Sequence, residues 1–386
     1  MKSMMLDGLQ LCPTKPTAMN DSGQEPVPAP SEPIRTVQGS VLRAIAEQVE
    51  TSFESCRRSA EKPLGYSYRI GDIPISLRFW GSSLIPIITP ALRHLLAAKT
   101  VGHAFTIHLW DGTPAGNSFP AIEKDLSALT RDGEAWAGTT TRYQMFFQPS
   151  IGLISLVDNM ANRAYFWARN ASAIPYYESG APLRRILYWW MGRHGYQLLH
   201  AASVGTGTAG VLLVGKGGSG KSTTALACLR AGLLYASDDY CMVTTHPGPV
   251  VHSIFSSGKL HAEDVERFPE FHPALSNPER LRTEKALYYF FELFPERVSR
   301  GFPLCAILIP ELARQMDTTV ETVPAATGYL ALAPSTLLQL QDKKGSSQSF
   351  IGALARRLPS FRLKVGSDIE KTPIAIRRLI ATLSSS

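Results

Sequence analysis

Residues 210–222, GVLLVGKGGSGKS, constrain the fold more than any other stretch of the chain. Apolar positions from Val211 to Val214 run into a glycine-dense loop, and the loop runs into TTALACLRAG. Glycines adopt positive φ, so successive backbone N–H groups can turn inward and form an anion nest. The helix that follows aims its N-terminus, and its partial positive charge, at the same point. Gly215 to Ser222 satisfies GxxxxGK[ST] in full, with the buried strand before it and the helix after it that the motif requires. The pattern assigns Gly215, Gly217, Gly218, Ser219, Gly220, Lys221, Ser222 and Thr223 to the binding of ATP phosphates. Lys221 reaches the β and γ oxygens and Ser222 ligates Mg²⁺.

The surrounding sequence reads as a nucleotide-binding α/β domain over 181–386. APLRRILYWWMGRHG predicts a helix stopped by Gly195, with His194 near its end, and YQLLHAASV predicts one strand. LLYASDDYCMVTT predicts the next strand after the loop helix, and PLCAILIPEL a further one between Pro303 and Pro310. SFIGALARRLP, FRLKVG and IAIRRLIATL predict helix, strand and helix. The stretch 280–302 is rich in aromatics and carries Arg282, Lys285, Arg297 and Arg300. It reads as an amphipathic helix with an aromatic core stripe, or as a loop over ATP or an acidic peptide.

Upstream, residues 39–180 predict a smaller α+β domain with a substrate-recognition role open to it. Ser40–Ala60 has Leu42, Ile45, Val49 and Phe53 at helical spacing behind a Ser40 N-cap. YSYRIGDIPISLRFW predicts a hairpin, IPIITPALRHLLAA a helix begun at Pro90, and AFTIHLWD, QMFFQPSIGLISLVD and RAYFWARN predict strands. Residues 1–38 are dominated by Pro, Ser and acidic groups and predict a disordered segment. No internal repeat is visible.

Two aspartates follow the loop at short range. Asp238 lies 17 positions after Lys221, behind the apolar LLYAS. Ligands bind at the C-terminal ends of strands in open α/β sheets. One carboxylate there can hold the metal, and the other can take the proton of an attacking hydroxyl. Neighbouring residues on a strand point to opposite faces, which favours two separate roles. His200 precedes Lys221 by 21 positions, near the end of the preceding strand. Alone it reads as a core histidine. Lys259, in HSIFSSGKLHAED, reads equally as a cation for the transferring phosphoryl group and as a surface lysine.

Taken together, LLHAASV, GVLLVG, GKGGSGKS, TTALACLRAG and LLYASDDY resemble, in that order and spacing, the HPr kinase/phosphorylase family, whose catalytic domain is similar to phosphoenolpyruvate carboxykinase. The resemblance is clear over about 196–245 and looser over 180–386. It implies an α/β P-loop kinase domain with a smaller N-terminal α+β domain. It implies Asp238 as the base that activates a protein hydroxyl, Asp239 near Mg²⁺ with Ser222, and His200 close to the reacting centre. The loop departs from the family pattern with Lys-Gly-Gly-Ser, and Thr-Thr follows Ser222 where Glu-Thr is frequent. The family's later glycine-rich signature, tied to dephosphorylation, is absent. The tail LPSFRLKVGSDIEKTPIAIRRLI resembles HPr-kinase-like proteins of lasso-peptide maturation. The implied activity is a Mg-ATP-dependent serine kinase acting on a peptide or small protein. Regulation of carbon metabolism through HPr and a non-catalytic ATP-dependent binding module are the alternatives.

Composition excludes little but agrees. Lys+Arg exceeds Asp+Glu by 39 − 32 = 7, a modest excess that argues for phosphate-bearing partners and not for nucleic acid. Five widely spaced cysteines, Cys12, Cys56, Cys228, Cys241 and Cys305, lack CxxC or zinc spacing and predict reduced thiols. No secretion signal and no apolar run of membrane-spanning length is read, so a cytoplasmic location without membrane partners is expected. No GxSxG elbow appears in a hydrolase setting. The sequence leaves a homo-oligomer open.

Overall fold

The computed structural model describes residues 9–10, 35–37, 39–59, 62–98, 104–112, 136–340 and 346–385. These residues divide into two compact units. One lies within Met1–Tyr66, Ile75–Ile87 and Val101–Ile174. The other lies within Ser67–Pro74, Ile88–Thr100 and Pro175–Ser386.

In the first unit, apolar residues at 42, 45, 49, 53 and 56 stack on one face of helix Gly39–Ser59 (α1). The helix begins at Gly39, so Ser40 lies within its first turn and not ahead of it. The strands before residue 175, in chain order, are Leu9–Gln10 (β1), Arg35–Val37 (β2), Leu64–Ile70 (β3), Ile73–Phe79 (β4), Phe105–Asp111 (β5), Trp136–Thr139 (β6), Tyr143–Gln148 (β7), Leu153–Asp158 (β8) and Arg163–Ala168 (β9), of which most of β3 belongs to the second unit. The order β1-β2-β6-β7-β8-β9-β5-β4 builds one mixed sheet. β4, β5 and β9 run parallel, while β6 to β9 form an antiparallel meander. Phe53 of α1 packs against Trp110 and Tyr165 in the aromatic core between helix and sheet.

Three expectations change here. Arg35–Val37, read as disordered, pairs with β1 and β6, because a short segment satisfies its backbone in a ladder without a core of its own. Residues 1–8, 11–34 and 38 of that segment lie outside the described residues. QMFFQPSIGLISLVD is two strands, split by a turn at Pro149–Gly152, where Gly152 has φ +59° and donates to the Pro149 carbonyl. IPIITPALRHLLAA forms only a four-residue helix and a 3₁₀ turn, Pro90–Leu95, since Pro90 cannot continue the helix before it.

The second unit is layered. Its elements include helix Arg184–Gly192 (α2) and strands Gln197–Leu199 (β10), Ala202–Gly205 (β11) and Gly210–Leu213 (β12). Helix Lys221–Arg230 (α3) follows, then Leu234–Ser237 (β13), Cys241–Thr244 (β14), Val250–Ser253 (β15), Ser257–Leu260 (β16), Ala286–Tyr289 (β17), Gly301–Leu312 (β18) and Thr319–Val323 (β19). Helices Ala325–Leu340 (α4) and Ser346–Arg357 (α5), strand Ser360–Val365 (β20) and helix Lys371–Ser384 (α6) complete it. The main sheet runs β10-β14-β15-β18-β12-β11-β13, and β20 also pairs with β18 and β19. β12, β18 and β20 run parallel, whereas β11 is antiparallel to both β12 and β13.

β12 shows why a continuous apolar run is needed. Val211 and Leu213 pack on one face with Leu226 and Leu229 of α3 and Ile376 and Ile380 of α6. Leu212 and Val214 pack on the other with Leu332 of α4 and Ile351 and Leu354 of α5. Both faces are buried, so strand alternation puts apolar groups at every position.

Two predicted strands are broken. YQLLHAASV divides into β10 and β11 at His200, whose backbone N–H donates to Thr336 Oγ1 instead of a ladder partner, at 3.1 Å. LLYASDDYCMVTT divides into β13 and β14. Ser237 Oγ donates to the carbonyls of Tyr240, at 2.7 Å, and Ala201, at 3.1 Å, closing a bend over 238–240. The helix expected in 280–302 is a strand and turns. Tyr288 and Phe290 are buried against Phe271, so this aromatic run fills the core from β17.

Candidate active site

The loop between β12 and α3 has Gly215, Gly218 and Gly220 at φ +144°, +75° and +91°. A side chain is strained at each. Cβ atoms placed on Gly217 and Gly218 would meet nothing within 4 Å, so the backbone can be approached closely there. Lys221, the first residue of α3, is 8% exposed. Its Nζ donates to the carbonyls of Gly215, at 2.8 Å, and Lys216, at 3.0 Å, and so braces the loop. Burial lowers its ammonium below the ordinary lysine value, Asp239 and Asp238 pull it back up, and Lys285 adds to the lowering. Ser219 Oγ and Thr224 Oγ1 are buried without a hydrogen-bond partner in the protein.

The aspartates sit in the bend after β13, at the end of the sheet where β12, also antiparallel to β11, delivers the loop. Their surroundings differ sharply. Asp238 is 3% exposed. Its Oδ2 accepts the backbone N–H of Lys259 at 2.8 Å, while its Oδ1 is buried without a hydrogen-bond partner. Burial raises its carboxyl above the ordinary carboxylate value, and Asp239 pushes the same way. The Ser222 hydroxyl and the Lys259 N–H only partly oppose them. Asp239 is held on both oxygens: Lys259 Nζ donates to Oδ2 at 2.9 Å, and His200 Nε2 lies 2.7 Å from Oδ1. Burial opposes its ionisation too, but the Lys259 and His200 contacts outweigh it and hold the carboxyl well below the usual range.

The sequence-selected residues therefore converge in two groups. Ser222 acts on Asp238, and His200 and Lys259 act on Asp239. Thr223, partly buried, stands in the first turn of α3. Arg300 points elsewhere, donating to the carbonyls of His94 and Leu96, and Arg297 donates to those of Leu229 and Arg230. His194 lies two residues past the end of α2, its ring tilted against that of Trp190 at 4.9 Å.

Sequence reasoning missed Tyr240 and Arg184. The Tyr240 ring faces His200 at 5.3 Å and lies under the Lys259 ammonium at 6.0 Å. The Arg184 guanidinium stacks over the same ring at 4.5 Å and donates to the Tyr240 hydroxyl. Tyr240 is thus the packed wall behind the His200–Asp239–Lys259 cluster. Its position directly after the Asp pair was the available signal, whereas nothing local marks Arg184.

The chemistry available is an anion nest with one lysine, next to two carboxylates driven toward opposite protonation behaviour. Among the described residues, no group of three or more His, Cys, Asp or Glu side chains is placed to hold a metal ion. Ser222 and Asp238 form an oxygen pair in which Asp238 Oδ1 is buried and unpartnered, which suits Mg²⁺ beside phosphates, whereas both Asp239 oxygens are already held by Lys259 and His200. No helix among the described residues is long and apolar enough to cross a membrane. Cys56, Cys228, Cys241 and Cys305 form no disulfide, and the first three are buried; Cys12 lies outside the described residues.

No family model matches the chain, and no curated protein matches it. Among solved structures, the chain is similar to the Hpr(Ser) kinase/phosphatase from Coxiella burnetii. The identity is 13%, the match covers 48% of this chain and 97% of that one, and the TM-score is 0.30. With so distant a likeness, the chemistry rests on the geometry described above.

Proposed function

We propose that the protein is a Mg-ATP-dependent kinase that transfers the γ-phosphate to a serine hydroxyl of a peptide or small protein. A ribosomally made precursor of the lasso-peptide kind fits the sequence resemblance. The observation that carries the reading is the pair of adjacent carboxylates with opposed environments beside a complete phosphate loop. Sites that run acid–base chemistry near neutral pH separate their titrating groups in this way.

Asp238 has the properties of a general base. It is buried, its proton affinity is raised, and Oδ1 has lone pairs to spare. It accepts the hydroxyl proton as the serine oxygen bonds to the γ-phosphorus and the bond to the β-bridging oxygen breaks. Asp239 stays ionised and holds His200 and Lys259 in place. Lys221 and the loop amides gather the phosphate charge. Ser222 would hold Mg²⁺ directly, and Asp239, both of whose oxygens are engaged by Lys259 and His200, would reach it through water; when bound, the ion would supply neutralisation of phosphate charge.

The test is incubation of the purified protein with γ-labelled ATP, Mg²⁺ and serine-containing precursor peptides. Label on a peptide serine supports the reading. ATP binding without transfer to any acceptor would favour a nucleotide-operated binding module.

A further inference from the structure

A cleft of about 510 Å³ opens directly beside the phosphate loop. Gly215, Lys216, Gly217 and Ser219 of the loop line one side of it. Its walls are Ile309 and Pro310 at the end of β18 and Leu330, Pro334 and Leu338 on the outer face of α4. We propose that this cleft holds the base of the bound nucleotide, a role that rests on the nucleotide reading of the loop and adds the residues that grip its other end.

Four observations lead there. First, the walls are apolar and partly open: Leu330 is 66% exposed and Leu338 79%, while Leu332 and Ala333 on the same helix are buried in the core. A helix that keeps large apolar groups outward next to a polar loop offers a surface for a planar ring. Leu312, 75% exposed, extends this surface, since a Cβ on Gly220 would come within 3.7 Å of its Cδ2.

Second, Pro334 lies inside α4. Having no N–H, it makes no bond to the Leu330 carbonyl, which leaves an acceptor on the turn that lines the cleft. Such an acceptor suits the exocyclic amine of adenine and not the carbonyl of guanine. Third, the one carboxylate at the rim, Glu311, is paired with Arg362 at 3.0 Å, which limits its repulsion of phosphate.

Fourth, strand order separates the two ends of the ligand. β12 delivers the loop between β11 and β18. Asp238 follows β13, beyond β11, while the cleft is walled by β18. A nucleotide whose γ-phosphate faces Asp238 therefore extends its base toward β18 and α4. The acceptor hydroxyl must come to the Asp238 side, which leaves the cleft to the base.

Calorimetric titration of the full chain with Mg-ATP, Mg-GTP and inorganic triphosphate tests this, using wild type and the neutral double variant Leu330→Ser/Leu338→Ser. Both leucines are exposed, so the fold is kept, and circular dichroism checks it. The wild type is expected to bind ATP more tightly than GTP and triphosphate. The double variant is expected to lose about tenfold or more in ATP affinity while triphosphate affinity stays within about twofold. Unchanged ATP affinity in the variant, or an equal loss for triphosphate, would overturn the base site and leave the loop assignment standing. A wild type that binds neither ATP nor triphosphate would overturn both.

Discussion

At the residue scale, the two aspartates share a bend but not an environment. Asp239 is the structural carboxylate, since it compensates the Lys259 ammonium, whose side chain is 11% exposed. Asp239→Asn leaves that ammonium and His200 without their anion. A loss of about 3 kcal/mol is expected, read as a lower urea midpoint at unchanged slope. Asp238 is the opposite case. With its pKa raised in the folded state, protonation of Asp238 adds stability below its unfolded value, and this is lost as pH rises through its folded value. Transfer, by contrast, needs the carboxylate. Activity is therefore expected to rise with pH through a midpoint above the ordinary carboxylate range, and a flat kcat/KM profile across the acid limb would contradict the base role. The residue types were legible in the sequence, because Asp238, Asp239 and Lys221 stand at fixed short spacing. The division of labour was not, because it comes from Lys259 and His200, 20 and 39 positions away.

At the element scale, the loop works because three glycines take conformations that other residues resist. Gly220, at φ +91°, leads directly into α3. Gly220→Ala is expected to cost about 1–2 kcal/mol of strain and to weaken ATP binding, measured by thermal midpoint and titration. The strand, loop and helix of 210–230 were legible because their pattern is local and dense. The breaks at His200 and at 238–240 were not. Each is set by a hydrogen bond to a distant element, Thr336 in one case and Ala201 in the other. The aromatic run in 280–302 misled for the same reason. Its rings serve a core shared with Phe268 and Phe271, and periodicity alone does not distinguish that from a helical stripe.

At the scale of the whole molecule, the unit that carries the site is not one continuous segment. Residues 67–74 and 88–100 belong with 175–386. His94 Nε2 lies 2.8 Å from Ser253 Oγ, and the Ala91 carbonyl accepts the Ser256 N–H at 2.8 Å. A fragment of 175–386 lacks these partners and is expected to melt below the full chain in a thermal scan, even though it contains every proposed catalytic residue. Equal midpoints would show that the earlier segments contribute no stability.

The central claim is that the phosphate held by the loop is handed to a hydroxyl through Asp238. The most direct measurement is transfer of label from γ-labelled Mg-ATP to serine-containing precursor peptides, run side by side with wild type and Asp238→Asn. The account predicts labelled peptide serine with the wild type. With Asp238→Asn it predicts ATP binding retained and transfer lower by about 10²–10⁴-fold. Transfer by Asp238→Asn at the wild-type rate, or ATP bound by the wild type with label reaching no acceptor, would contradict it.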